Sequence, residues 1–381
     1  MRILVTAKIA GTTVGHIDHA LAYAVALKTA GHDVTLVDYA GRGRCIDAQG
    51  RRVPFAHWSG RAHFEAVARE YGLWPQAALT GWTRETHGMP FERLQAKATG
   101  ADLLIARSGK IHKLPEIFEA PQRRAFFDGN PGMTQTMFAR GDADAEPLDR
   151  YEFLFTLGHN IGTPASPIPT CGRRWHALPR PIVLSMYPPQ IHDADAPFTT
   201  ISSWRGRGSF ALDGVAAGQK SDNWMDYLEL PRRSGQAMEI ALLTAGSDDR
   251  QDRMRFLDAG WRLSDPRRLR RFEDYRSYLG RSRAEFSVAH NRYVAFATGW
   301  FSDRSAAYLA CGKPVVVQST GIERHLPTGR GILTFSTPDE AVERIAEVNA
   351  DYRLHAHAAR DIAEEYFSAA GIIARILEIV A

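Results

Sequence analysis

Residues 299–317 of this 381-residue chain carry the clearest chemistry. Gly299-Trp300-Phe301 reads as a Gly-bearing turn and Ser302-Asp303 as a helix start. Gly312 and Pro314 mark the helix stop before the apolar run Val315-Val316-Val317. A helix that opens beside small polar residues presents backbone N–H groups and the positive end of its dipole, so it favours a phosphate. Ser302, Asp303, Arg304 and Ser305 stand at that end, where an inward-turned Arg304 adds a charge-assisted contact. A plain helix-to-strand joint capped by Ser302 or Asp303 is the alternative.

Two runs of short apolar strands alternating with helices must position that turn. In the first, Ile3-Leu4-Val5 is a strand, Gly11 to Gly15 a loop, and Leu21, Val25, Ala26 and Leu27 a helical stripe. Gly31 stops the helix before the strand Val34-Thr35-Leu36-Val37. Leu103-Leu104-Ile105 and Ala125-Phe126-Phe127 continue the pattern. The second run holds Thr199-Thr200-Ile201, Met238 to Leu243, Phe286-Ser287-Val288 and Val315-Val316-Val317. This alternation predicts an α/β protein with parallel, doubly wound sheets. Pro, Gly and Ser concentrate between about 163 and 189, the expected interdomain connection, and 360–380 reads as an amphipathic helix. The expected units are 1–180, 181–359 and a terminal helix over 360–381.

Composition narrows the function classes. Hydrophobic content of 44% and charged content of 24% are those of a soluble globular protein. A net charge of +4 suits an anionic small ligand and is too weak to diagnose nucleic-acid binding. Cys45, Cys171 and Cys311 have no metal-site or disulfide-framework spacing, which points to a reduced cytoplasmic setting. No apolar run reaches the ~20 residues that span a bilayer. Asp142-Ala143-Asp144 and Asp193-Ala194-Asp195 imitate a metal-binding DxD but lack its flanking hydrophobic strand, so no metal is predicted.

The segment Tyr308-Leu309-Ala310-Cys311-Gly312-Lys313-Pro314-Val315-Val316 resembles the donor-binding signature of glycosyltransferases with the GT-B fold. The resemblance implies two facing Rossmann-like domains, with a nucleotide-sugar donor on the second, an acceptor on the first, and a C-terminal helix crossing back to the N-terminal domain. In that register the two acids of the family's E-x7-E pattern fall on Gly299 and Ala307, so ribose contacts must come from elsewhere. Nine positions after Pro314 stands Glu323, where related transferases read sugar hydroxyls. Gly321 would let the backbone approach the donor. Lys220 and Arg205 are further candidates for the diphosphate, and His290 would look into the same cleft.

His16 stands sixteen residues before His32 of Gly31-His32-Asp33-Val34-Thr35, the spacing of the catalytic His in inverting members. The resemblance makes His16 the general base, because an acceptor hydroxyl attacks poorly until a neutral imidazole takes its proton. A helix cap or loop residue is the alternative for His16. Where the family's orienting Asp would lie, this chain has Arg107. Asp128, at the next strand end, is the candidate substitute, with Asn130 as an acceptor contact, and an Asx-turn is the structural alternative. Trp82 is a candidate from the aromatic- and His-bearing stretch 41–100.

The implied activity is an inverting, metal-independent, cytoplasmic glycosyltransferase. Its co-substrate would be a UDP- or dTDP-sugar, with no other cofactor, and its acceptor a small molecule, glycan, peptide or modified nucleobase. The oligomeric state is left open. A UDP-sugar 2-epimerase and a non-catalytic nucleotide-sugar-binding protein are the alternatives. A dinucleotide oxidoreductase is disfavoured, because Gly11 and Gly15 do not make G-x-G-x-x-G and Asp38 alone is a weak ribose ligand.

Overall fold

A computed structural model describes residues 1–381 apart from 12–13, 48, 108–109, 192–195, 206–209, 245–248 and 270. For residues 14–16, 18, 19 and 210 it describes the backbone alone. The Asp193-Ala194-Asp195 triplet thus lies outside the described residues.

The first sheet holds β1 (Arg2–Thr6), β2 (Asp33–Ala40), β3 (Ala77–Gly81), β4 (Thr86–Gly88), β5 (Leu103–Ala106), β6 (Arg124–Asp128), β7 (Phe153–Thr156) and β8 (Trp175–Ala177). Their order is β4-β3-β2-β1-β5-β6-β7-β8. Every pair is parallel except β3 with β4, and the register sets Ile3 beside both Val34 and Leu103. The second sheet holds β9 (Phe198–Ser203) and, beyond the small hairpin of β10 (Phe210–Leu212) and β11 (Val215–Ala217), five more strands. These are β12 (Met238–Leu243), β13 (Arg262–Ser264), β14 (Ala284–Ser287), β15 (Val315–Gln318) and then β16 (Ile332–Phe335), making five strands after β9. Its order is β13-β12-β9-β14-β15-β16, parallel throughout.

These strands are apolar on both faces because helices cover both faces of each sheet. In each sheet the order reverses at its first strand: β1 lies between β2 and β5, and β9 between β12 and β14. Those switch points open a crevice at the strands' carboxyl ends, where ligands of such sheets bind.

Two differences from expectation bear on the join. Trp175–Ala177, inside the proline-rich stretch, pairs with β7 as an eighth strand, so the crossing begins only at Leu178. Three residues carry no readable period, and pairing with β7 decides their state. The terminal helix is two helices, Tyr352–Tyr366 and Ala369–Val380, separated at Phe367-Ser368. The former packs on the second domain. The latter returns to the first, where Ile372, Ile373, Ile376 and Val380 join the core built on Ile3, Val5 and Leu21. The two crossings run side by side, with Ile182 N–H donating to Phe367 O and Ala369 N–H donating to Ile182 O.

Candidate donor and acceptor site

The Asp303–Ala310 helix starts where the sequence places it. Its end is a Schellman turn: Gly312, at φ 70°, donates to Leu309 O and Lys313 N–H donates to Tyr308 O. At its start Ser302 takes an extended conformation and makes no side-chain cap bond. The first turn borders a pocket at the carboxyl ends of β14 and β15, edged by Ser287, Ala289, Trp300, Ser302, Ser305 and Gln318. The Ser305 hydroxyl is wholly buried and has no hydrogen-bond partner among the described residues. A buried polar group left so is costly, and the pocket beside it is where a partner fits. Trp300 stacks on Tyr293 with centroids 4.5 Å apart, giving the pocket a flat aromatic wall.

Arg304 is a correction to the sequence reading. Its guanidinium is buried against the sheet: Nε meets Glu285, one Nη donates to Ile201 O, and the other donates to Ser287 Oγ. Glu285 is buried, so charge pairing decides the rotamer. Arg304 therefore anchors the helix start to β9 and β14. Each of its three nitrogens is held by an acceptor of β9 or β14.

A strap from the first domain, 158–166, builds part of this site. Gly158 bridges to Trp300, Asn160 N–H donates to Thr298 O, and Asn160 Nδ2 donates to Ala297 O at 2.7 Å. Here lie two more outcomes that the sequence did not show. Gly299 has φ 69°, and a Cβ there would stand 2.9 Å from Asn160 N, which explains why no acid occupies this E-x7-E position. Gly321 has φ 84°, and its Cβ would stand 2.5 Å from Asn160 Nδ2, so the glycine makes room for the strap. Ala307, at the other acid position, is wholly buried. Glu323 is exposed and accepts from Ser319 Oγ at 2.9 Å.

The strap also brings His159 against His325, rings 5.3 Å apart, while Asn160 Oδ1 sits 2.7 Å from His325 Nε2. Burial, helped by His325 and Arg375, pulls His159 down to about 4. Nearby, Arg292 is 1% exposed and touches Met133 of the first domain. Its Nε and second Nη have no partner among the described residues. No sequence signal singled out Asn160 or Arg292, because both act across the domain seam.

The second-domain candidates converge in part. Lys220 opens the Lys220–Trp224 helix, whose Asn223 donates to Ala289 O and to Gln318 Oε1 at 3.2 Å. That places the helix beside the pocket at the Asp303–Ala310 helix start. His290 caps the Asn291–Ala295 helix with its ring against Tyr293. Arg205 is instead committed to Asp249 and Asp252.

In the first domain a second narrow pocket opens at the carboxyl ends of β5, β6 and β7, lined in part by Tyr23, Arg107, Phe127, Asp128 and Arg180. Arg180 Nη1 pairs with Asp303 at 2.8 Å, linking this pocket to the helix start across the cleft. Asp128 does not fit the role of orienting a base. Its Oδ1 accepts from Asn130 N–H at 2.8 Å and Thr134 Oγ1 at 2.7 Å. Its Oδ2 accepts from Gln135 Nε2 at 2.9 Å and Thr156 Oγ1 at 3.1 Å. Four donors fill a carboxylate's acceptor sites, so Asp128 with Asn130 forms the structural turn. Trp82 packs partly into the two apolar clusters of its domain and does not line the pocket. His16 lies on the first turn of the Val14–Thr29 helix, and its side chain is outside the described residues. Asp38 accepts from Ile9 and Ala10 N–H and pairs with Arg44, a structural tie. Asp144 is exposed and pairs with Lys110.

Residues 236–378 match a family model described as glycosyl transferase-like. No curated protein matches the chain in sequence. Among solved structures, Anabaena HepE in complex with UDP and glucose is similar at TM-score 0.62 and 11% identity, covering 100% of this chain and 99% of that one. An α-glucosyltransferase in complex with UDP and a 13-mer DNA is similar at 0.61 and 11%, over 99% and 98%. Sucrose-phosphate synthase from Thermosynechococcus elongatus is similar at 0.55 and 10%, over 100% and 98%. The chain has the fold of these GT-B glycosyltransferases over its whole length. No helix among the described residues is long and apolar enough to cross a membrane.

Proposed function

We propose that this chain, GT-B in fold and glycosyl transferase-like over its second domain, moves a sugar from a nucleotide diphosphate to an acceptor hydroxyl. The observation that carries the reading is the buried, unpartnered Ser305 hydroxyl in the pocket at the start of the Asp303–Ala310 helix. Ser302, Ser305 and the helix's N–H groups would hold the diphosphate, with Lys220 beside them and Trp300 as a stacking wall for the base. The UDP complexes of HepE and the α-glucosyltransferase support a UDP-sugar, and a dTDP-sugar would meet the same groups.

His16 is proposed as the base of an inverting, metal-independent transfer. It stands seven residues before Tyr23 on one helix, a spacing that puts both positions on one face, and Tyr23 lines the first-domain pocket. The imidazole would take the acceptor proton as the acceptor oxygen attacks the anomeric carbon and the nucleotide diphosphate departs. The helix dipole would stabilise the leaving diphosphate. Calorimetry with UDP tests the donor site. A Ser305→Val variant should bind UDP roughly tenfold more weakly, the size of one charge-assisted hydrogen bond. Unchanged affinity in a folded variant would remove the donor assignment.

A further inference from the structure

Arg107 and Arg180 converge on the narrow first-domain pocket from different elements. Arg107 follows β5, and Arg180 lies on the crossing segment after β8. Gly129 leaves space for the second of them, since a Cβ there would stand 2.9 Å from Arg180 Nη2. The walls are apolar: the Arg107 guanidinium lies 4.4 Å over the Tyr23 ring, and Phe127 stacks on Phe155 at 4.4 Å. We propose that this pocket is the acceptor subsite for a compact anionic group, so that the molecule receiving the sugar carries a carboxylate or phosphate near its reacting hydroxyl. The inference rests on the transferase reading above and names the substrate class for it.

Three features support an anion here. The charged groups at the pocket are Arg107, Arg180, Asp128 and, across the cleft, Asp303. Asp128 is turned into its own four-donor bend, and Asp303 stands at the positive end of the Asp303–Ala310 helix, whose dipole offsets part of its charge. Burial, together with Arg180, holds Arg107 down at about 10. It nonetheless keeps its proton at neutral pH, so the pocket presents two guanidiniums, of which Arg180 is paired with Asp303, and an incoming anion would add to that pairing. Finally, this pocket is lined by the first domain and by Leu178 and Arg180 of the crossing that follows it, whereas the donor pocket is lined by the second. That lining favours the acceptor as the source of the anion met by Arg107 and Arg180, and the low-dielectric aromatic walls strengthen its pairing.

The test uses the full chain saturated with UDP at low salt, with benzoate, phenyl phosphate and benzamide as probes in ligand-observed NMR titrations. At least one anion should bind about tenfold or more tighter than isosteric, neutral benzamide, the contribution expected of a charge-assisted contact. The tighter anion distinguishes carboxylate from phosphate. Arg180→Met and Arg107→Met should each weaken that anion about tenfold, and in Arg107→Met, which keeps the Arg180–Asp303 pair, UDP affinity should stay within about twofold. Arg180→Lys and Arg107→Lys should give intermediate loss, and they serve if a Met variant does not fold. Equal binding of benzamide overturns the proposal, as does binding by none of the three. So does a parallel loss of UDP affinity in Arg107→Met, which would give the guanidiniums to the donor diphosphate. Failure of wild-type UDP binding counts against the transferase reading instead, and the probe titrations without UDP still decide the anion subsite.

Discussion

Glu285→Leu should be among the most destabilising single changes in the second domain. Glu285 is fully buried on β14, and its partner Arg304 has a side chain 13% exposed. Removing the carboxylate leaves a guanidinium that cannot lose its proton, held only by Ile201 O and Ser287 Oγ. Breaking a buried pair from one side costs about 3–5 kcal/mol. For a domain of this size, roughly 2–4 °C of melting temperature goes with each kcal/mol, so the variant should melt about 6–20 °C lower. Replacing both partners, Glu285→Leu with Arg304→Leu, removes the stranded charge and should recover most of that loss. Arg304 also ties the helix start to the sheet, so UDP affinity should fall in the single variant and recover only partly in the double. Urea denaturation read by circular dichroism and calorimetry with UDP measure the two effects. A single-variant cost below about 1 kcal/mol, the range of exposed pairs, would refute the claim that this ion pair organises the donor helix.

Gly321→Ala should cost about 2–4 kcal/mol, combining a left-handed φ of 84° with displacement of Asn160 from its bond to Ala297 O; thermal unfolding reads it, and a neutral result would sink the close-approach argument. His16→Ala should lower kcat by roughly 10²–10⁴ with UDP affinity unchanged, and full turnover would remove the base assignment. His159 sits at about 4 when folded against about 6.5 unfolded, so the unfolded chain binds its proton more readily. Its contribution to stability is present above about pH 6.5 and is lost as pH falls towards 4, by up to about 1.4 kcal/mol per pH unit. Urea midpoints at pH 7.5 and 4.5 should therefore converge in His159→Gln relative to wild type, and identical pH slopes would contradict this.

Local signals were legible where a residue's role is set by its near neighbours. The Ser302-Asp303 start, the Gly312 stop, the strands β1, β2, β12 and β15, and the doubly wound alternation all follow from caps, left-handed glycines and apolar runs within about ten residues. β8 and the break at Phe367-Ser368 were not legible, since a three-residue strand and a split amphipathic stripe are settled by what they pack against.

The roles of charged side chains depended on the assembled chain. Arg304 looked like a donor ligand until Glu285, nineteen positions away, took its guanidinium. Asp128 looked like a base's partner until Thr156 and Gln135 filled its oxygens. Gly321 was read for the donor but is required by Asn160, 161 residues earlier. The sequence by itself determined where helices start and where strands run, because those are short-range steric effects. Which charges remain available to a ligand was decided only by tertiary structure, because a buried charge goes to whichever partner folding brings within hydrogen-bond reach.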